Sequence, residues 1–107
     1  MEKAEREKFV ARAAQGDCDA LQCLIVQHHA SLRREVARGI GPAVQRYLDP
    51  EDVLQDAYVL AFRHARAADL QSAEHFFRWL RTIAQNQLKS RLRALRQQKS
   101  DIAREQP

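Results

Sequence analysis

Apolar residues recur along the chain at the three- and four-residue spacing that places side chains on one face of an α-helix, in four successive blocks. In the first, residues 2–14, the face is sparse: Phe9, Val10 and Ala13. Gly16, which readily takes the left-handed conformation that stops a helix, closes it, and its start is expected to fray. Asp17 is placed to N-cap a second helix, in which Leu21, Leu24, Ile25, His28, Leu32 and Val36 form a stripe reaching about Gly39. The stretch GIGP, Gly39 to Pro42, interrupts it, and AVQRYL after it predicts at most a short helical turn.

Asp49-Pro50 opens a third helix, the carboxylate capping free amides and the proline sitting where its missing N–H is not needed. Leu54, Ala57, Tyr58, Ala61 and Ala65 form its core face, to about Arg66. ARAADLQSAEH, residues 65–75, lacks regular spacing and connects to a fourth helix, with Asp69 or Ser72 as its cap. That helix buries Leu80, Ile83, Ala84, Leu88, Leu92 and Leu95, and Phe76 and Phe77 anchor its start. Beyond Lys99, SDIAREQP has almost nothing to bury and reads as a frayed tail or the start of a linker.

On a chain of 107 residues, poor in glycine, proline and β-branched residues, this pattern predicts an all-α fold, a compact bundle of about four helices in one domain over residues 1–99. No apolar run approaches the roughly 20 residues of a membrane span. The start, MEKAEREKF, is too charged for a signal peptide, and a cytoplasmic protein without membrane contact is expected. Cys18 and Cys23 fall on diverging helix faces, which argues against a disulfide or a CxxC metal site; both read as reduced packing thiols.

A net charge of +4 says little by itself, but its distribution changes the picture. Asp49, Glu51, Asp52 and Asp56 crowd into DPEDVLQD, whereas Arg78, Arg81, Lys89, Arg91, Arg93, Arg96 and Lys99 follow one another with no acid between Phe76 and Lys99. On the fourth helix Trp79, Thr82, Asn86, Ser90 and Arg93 share a flank, with Arg78, Arg81, Gln85, Lys89 and Arg96 beside them. Nucleic acid suits that mixture: cations neutralise phosphates, polar side chains read base edges, and an aromatic ring stacks on an unpaired base. A solvated basic face with Trp79 at the core's edge is the other reading.

On the third helix Asp52, Gln55, Asp56, Val59 and Arg63 share a face outside the core stripe. An apolar residue among acids fits a docking surface; acids complementing the helix dipole account for Glu51 and Asp52 but less well for Asp56. Catalysis has no support, because Gly-rich phosphate loops, GxSxG and carboxylate or His-Cys constellations are missing. His28, His29, His64 and His75 are scattered and do not have metal-ligand spacing, and two exposed carboxylates such as Asp52 and Asp56 make a poor cation site. No metal, cofactor or small-molecule substrate is expected.

On these residues the chain resembles region 2 of bacterial extracytoplasmic-function sigma factors, sigma-70 family subunits that direct RNA polymerase to promoters. DPEDVLQDAYVLAF is similar to the family's D-x-E-D-x-x-Q-[DE]-x-[FY] segment, FFRWLRTIAQNQLKSRLRALR to its F-x-x-W-L-x-x-I-A-x-N-x-x-x-D-x-x-R helix, and GDCDALQCLIVQHHASLRREV to its first core helices. The resemblance implies that Asp52, Gln55 and Asp56, with Val59 on their face, contact the clamp coiled coil of core RNA polymerase. It implies that Trp79, Thr82, Asn86 and Arg93, with the cations Arg78 and Lys89, face the single-stranded non-template minus-ten element of promoter DNA. The loop from Arg66 to His75 then receives a flipped base, whose unstacking costs a few kcal/mol that pocket contacts must offset.

The chain has Arg78 before Trp79, where housekeeping sigma factors have two adjacent tryptophans, which implies weak intrinsic melting. Ser90 stands where the pattern has Asp. Family members continue into a second helical domain; this sequence stops at Pro107, and minus-35 recognition is expected to be missing. An anti-sigma protein is an expected partner. A second class also fits the residues: a helical interaction module whose basic helix binds an acidic regulatory protein without reading DNA.

Overall fold

Asp17 and Asp49 begin two helices by the same chemistry. The Asp17 carboxylate accepts from the Ala20 amide at 3.1 Å and the Asp49 carboxylate from the Glu51 amide at 2.9 Å, each satisfying a donor that helix geometry leaves free. The computed structural model describes residues 1–105, with α1 at Lys3–Ala14, α2 at Cys18–Arg38, α3 at Pro50–His64 and α4 at Ala73–Glu105, and with no strand among the described residues. Gln106 and Pro107, the end of the expected tail, lie outside them. The fold is the expected all-α bundle of four helices.

Local chemistry sets the joints. Gly16 has a φ of 99°, the left-handed conformation that turns the chain from α1 into α2. Arg12 closes that turn by donating to Asp17 at 2.9 Å, and the Ala20 amide and then this guanidinium hold the Asp17 carboxyl below its ordinary range. Between α2 and α3, residues 41–48 form successive hydrogen-bonded turns, Val44 N–H to Gly41 at 3.0 Å and Tyr47 N–H to Val44 at 2.9 Å, in place of a helix.

Three helix ends fall elsewhere than the pattern places them. α3 stops at His64 and continues as turns through Asp69. α4 begins at Ala73, ahead of Phe76, because Ser72 Oγ accepts from the His75 amide at 3.0 Å. It then continues past Lys99 to Glu105, so the segment read as a frayed tail is helical as far as the description reaches. At about 1.5 Å per residue its 33 residues extend about 50 Å, which accounts for a long axis of 61 Å against 24 and 18 Å across.

α2 packs against the other three helices. The expected stripes are buried: Val10 and Ala13 from α1; Leu21, Leu24, Ile25, Leu32 and Val36 from α2; Leu54, Ala57 and Ala61 from α3; and Leu80, Ala84 and Leu88 from α4, while Ile83, Leu92 and Leu95 pack partly against them. Val53 and Leu70 join the core although the pattern did not assign them to it. Phe76, fully buried, is the largest anchor, and side chains of its class contribute roughly 1.5–3 kcal/mol each on burial. Cys18 and Cys23 are free and exposed, so they are not the packing thiols expected: α2 turns Ala20, Leu21 and Leu24 inward and both thiols outward. No helix among the described residues is long and apolar enough to cross a membrane.

Candidate protein-docking and nucleic-acid interfaces

Burial of Val53, Leu54, Ala57 and Ala61 fixes the rotation of α3 and turns Asp52, Gln55 and Val59 to the surface. Val59 is 54% exposed and Phe62, one turn further, 42%, unusual for large apolar side chains on a face this small. Gln55, Tyr58, Val59, Phe62 and Arg63 line an open groove of about 630 Å³. Phe62 was not singled out in the sequence; its place three residues after Val59 was the available signal.

The acidic cluster is less free than its sequence implies. Asp56 is half-buried and binds Arg91 of α4, whose Nε donates to it at 2.8 Å. Glu51 turns toward α2, accepting from Arg33 Nε at 2.9 Å and lying 3.1 Å from His29 Nε2. A carboxylate only accepts, so His29 Nε2 carries a proton toward Glu51, and the Tyr58 hydroxyl lies 2.8 Å from His29 Nδ1. Burial, and then the Glu51 charge, push the Tyr58 phenol up to about 12, so it stays neutral at the wall of the groove.

On α4, inward Leu80, Ala84 and Leu88 leave Arg78, Thr82, Asn86, Lys89 and Arg93 exposed along one flank. Trp79 is at the border: half-buried, packed against the core, its ring 5.9 Å from that of Phe76. The Thr82 hydroxyl donates to the Arg78 carbonyl at 2.8 Å, leaving its oxygen to accept from a ligand. Arg81 is held by Glu35 of α2 at 2.6 Å and Arg91 by Asp56, so these two cations fasten α4 to the bundle. Arg78, Lys89, Arg93 and Arg96 have no ion-pair partner among the described residues.

The connection before α4 is ordered by few contacts. Leu70 is buried, Asp69 takes a left-handed φ of 52°, and the Gln71 amide donates to His75 Nδ1 at 3.1 Å. The carboxylate of Glu7, far away on α1, accepts from the Ala73 amide at 3.0 and 3.1 Å. No local pattern in the sequence marks Glu7.

A family model described as Sigma-70 region 2 matches residues 25–98. The chain belongs to this family. No curated protein and no solved structure matches it. As a sigma-70 region 2 domain it is part of a transcription initiation factor, not an enzyme, and serves binding to core RNA polymerase and promoter recognition. The match takes in most of α2, all of α3 and α4 as far as Gln98, so both faces described above lie within the sigma region, and α1 lies before it.

Proposed function

We propose that the two faces divide the work of the sigma domain. Asp52, Gln55, Asp56 and Val59 of α3 form the surface that binds the clamp coiled coil of the largest polymerase subunit, with Phe62 extending its apolar part. Arg78, Trp79, Thr82, Asn86, Lys89 and Arg93 of α4 take the non-template strand of the minus-ten element and help hold it open, and residues 66–75 receive an extruded base. The observation that carries this reading is the sorting of α4's cations: Arg81 and Arg91 are spent on the bundle, whereas Arg78, Lys89 and Arg93 lie exposed on the same flank as Asn86, with half-buried Trp79 at its border. Phosphates meet the cations, and the amide and ring meet a base. The domain then belongs to a bacterial sigma factor of the extracytoplasmic-function type, acting in the cytoplasm and controlled by an anti-sigma protein.

Capture of core RNA polymerase by the wild-type chain, against a variant carrying Asp52→Ala, Gln55→Ala and Asp56→Ala, tests the docking half. Loss of capture with helicity retained is the expected result; equal capture would sink the assignment of α3. A second reading has one observation in its favour: Glu35 and Asp56 already show that carboxylates seat well on α4's arginines. In that reading the basic flank binds an acidic regulatory protein, and no oligonucleotide binds at low salt.

A further inference from the structure

We propose that α1 braces the loop at 66–75 from both ends and that Glu7 is its positioning residue for base selection; this rests on the reading of that loop as the base-receiving one.

The first amides of a helix have no partner within it. At α4, Ser72 Oγ satisfies the His75 amide, and the Ala73 amide is satisfied by both oxygens of Glu7, at 3.0 and 3.1 Å, from the other end of the chain. The bond is charge-assisted, and it sets a negative charge at the positive end of a 33-residue helix. Lys3 of α1 adds a looser contact, 3.5 Å from Glu74.

The opposite end of the loop meets the turn that closes α1 through the Arg66 side chain. Gly16 lies against the Arg66 side chain so closely that a Cβ there would sit 3.0 Å from Arg66 Cδ. Between these fastenings the loop has one buried apolar residue, Leu70, and one non-glycine residue, Asp69, in a left-handed conformation. Aspartate tolerates this conformation better than most residues, and Gln71 Nε2 donates to the Asp69 carbonyl at 3.1 Å. A pocket that tells bases apart has to be held to about 0.5 Å, and here the fixed ends, rather than a core of the loop's own, supply that precision. α1 precedes the stretch that matches the sigma model, yet it sets the shape of the loop inside that stretch.

The test compares Glu7→Ala with Glu7→Gln in the full 107-residue chain. Three quantities are followed: amide hydrogen exchange at Ala73 and through the loop, selection from a randomised single-stranded oligonucleotide pool, and capture of core polymerase. Glu7→Ala is expected to speed exchange at Ala73 roughly 10-fold and to flatten oligonucleotide selection, while capture of polymerase is unchanged. Glu7→Gln, which keeps an acceptor oxygen, restores both. Gly16→Ala, strained at a φ of 99° and pressed on Arg66, loosens the other end and is expected to flatten selection in the same way, which keeps the test open if Glu7→Ala folds poorly.

Selection unchanged in Glu7→Ala, or lost equally in Glu7→Gln, overturns the proposal. If the wild-type chain itself selects no oligonucleotide, the reading of the loop fails instead, and the exchange data separate that failure from a missing brace.

Discussion

One oxygen of the Asp56 carboxylate on α3 accepts from two nitrogens of Arg91 on α4, 2.8 Å from Nε and 2.6 Å from Nη2. The pair joins the helix assigned to polymerase docking to the helix assigned to DNA, so Asp56 has two possible uses. Its side chain is 37% exposed and that of Arg91 43%, and pairs this open contribute at most about 1 kcal/mol. Arg91→Ala is therefore expected to lower stability by no more than about 1 kcal/mol in urea denaturation while leaving the carboxylate free to dock. Polymerase capture should be retained or strengthened in Arg91→Ala and weakened in Asp56→Ala. Equal weakening in both would mean that the orientation of α3 on α4, and not the carboxylate, is what the polymerase meets.

Asn86 and Arg93 lie on the same exposed flank and are expected to fail differently. Arg93→Ala should weaken all single-stranded oligonucleotides alike and reduce the slope of log affinity against log salt by about 0.7, the loss of one phosphate contact. Asn86→Ala should leave the slope unchanged and remove roughly 1–3 kcal/mol of preference at one base position. Titrations at several salt concentrations separate the two. A salt slope that falls in Asn86→Ala, or a preference lost in Arg93→Ala, would exchange their roles.

The stripes of α2 and α4 were legible because each helix buries one face against a single core, and burial of one face imposes a 3.6-residue period. Val53 escaped that reading because it follows the acids of the first turn, where the cap chemistry of Asp49 and Pro50 dominates. The extension of α4 beyond Lys99 escaped it because the sequence there carries almost no apolar stripe. A helix already nucleated propagates on local propensity, and Ala103, Arg104 and Glu105 are good helix formers. At the candidate site the exposed flank was visible in the spacing of Trp79, Thr82, Asn86 and Arg93. The pairings of Arg81 with Glu35, Arg91 with Asp56 and Ala73 with Glu7 were not, since only the packing of distant helices brings those groups together.

His28 is wedged between Phe76 and Phe77, with ring centroids 5.9 and 4.7 Å away, and its Nε2 is buried without a hydrogen-bond partner. Burial, and then the nearby charge of Arg6, hold its pKa below the ordinary 6.5. The unfolded chain thus binds this proton more readily than the folded one, so the contribution is complete above about pH 6.5 and is lost as pH falls toward the lowered value. The lowered carboxyls of Asp17 and Glu74 act further down, below their ordinary values of 3.8 and 4.5, and leave the His28 window separate. Melting temperature is expected to decline between about pH 7 and pH 5 and to decline less in His28→Leu. A parallel decline in both proteins would place the acid sensitivity elsewhere.

Gly39 and Gly41 lie two residues apart in the turn after α2, and packing sets them apart. Gly39 has a φ of −79°, which alanine adopts freely, but a Cβ there would meet Leu88 Cδ2 at 2.6 Å. Leu88 is only 4% exposed, so its methyl group has to move within a packed core, which typically costs about 1–3 kcal/mol. The backbone stiffening gained from replacing glycine, about 0.4–1 kcal/mol, offsets only part of this. At Gly41 nothing lies within 4 Å of the added carbon, so Gly41→Ala should be neutral or slightly stabilising, and Gly39→Ala destabilising. Combining Gly39→Ala with Leu88→Ala removes the clash, and the double variant should lose less than the sum of the single ones by urea denaturation. Additive losses in the double variant would mean that the turn, and not Leu88, yields to the new methyl group.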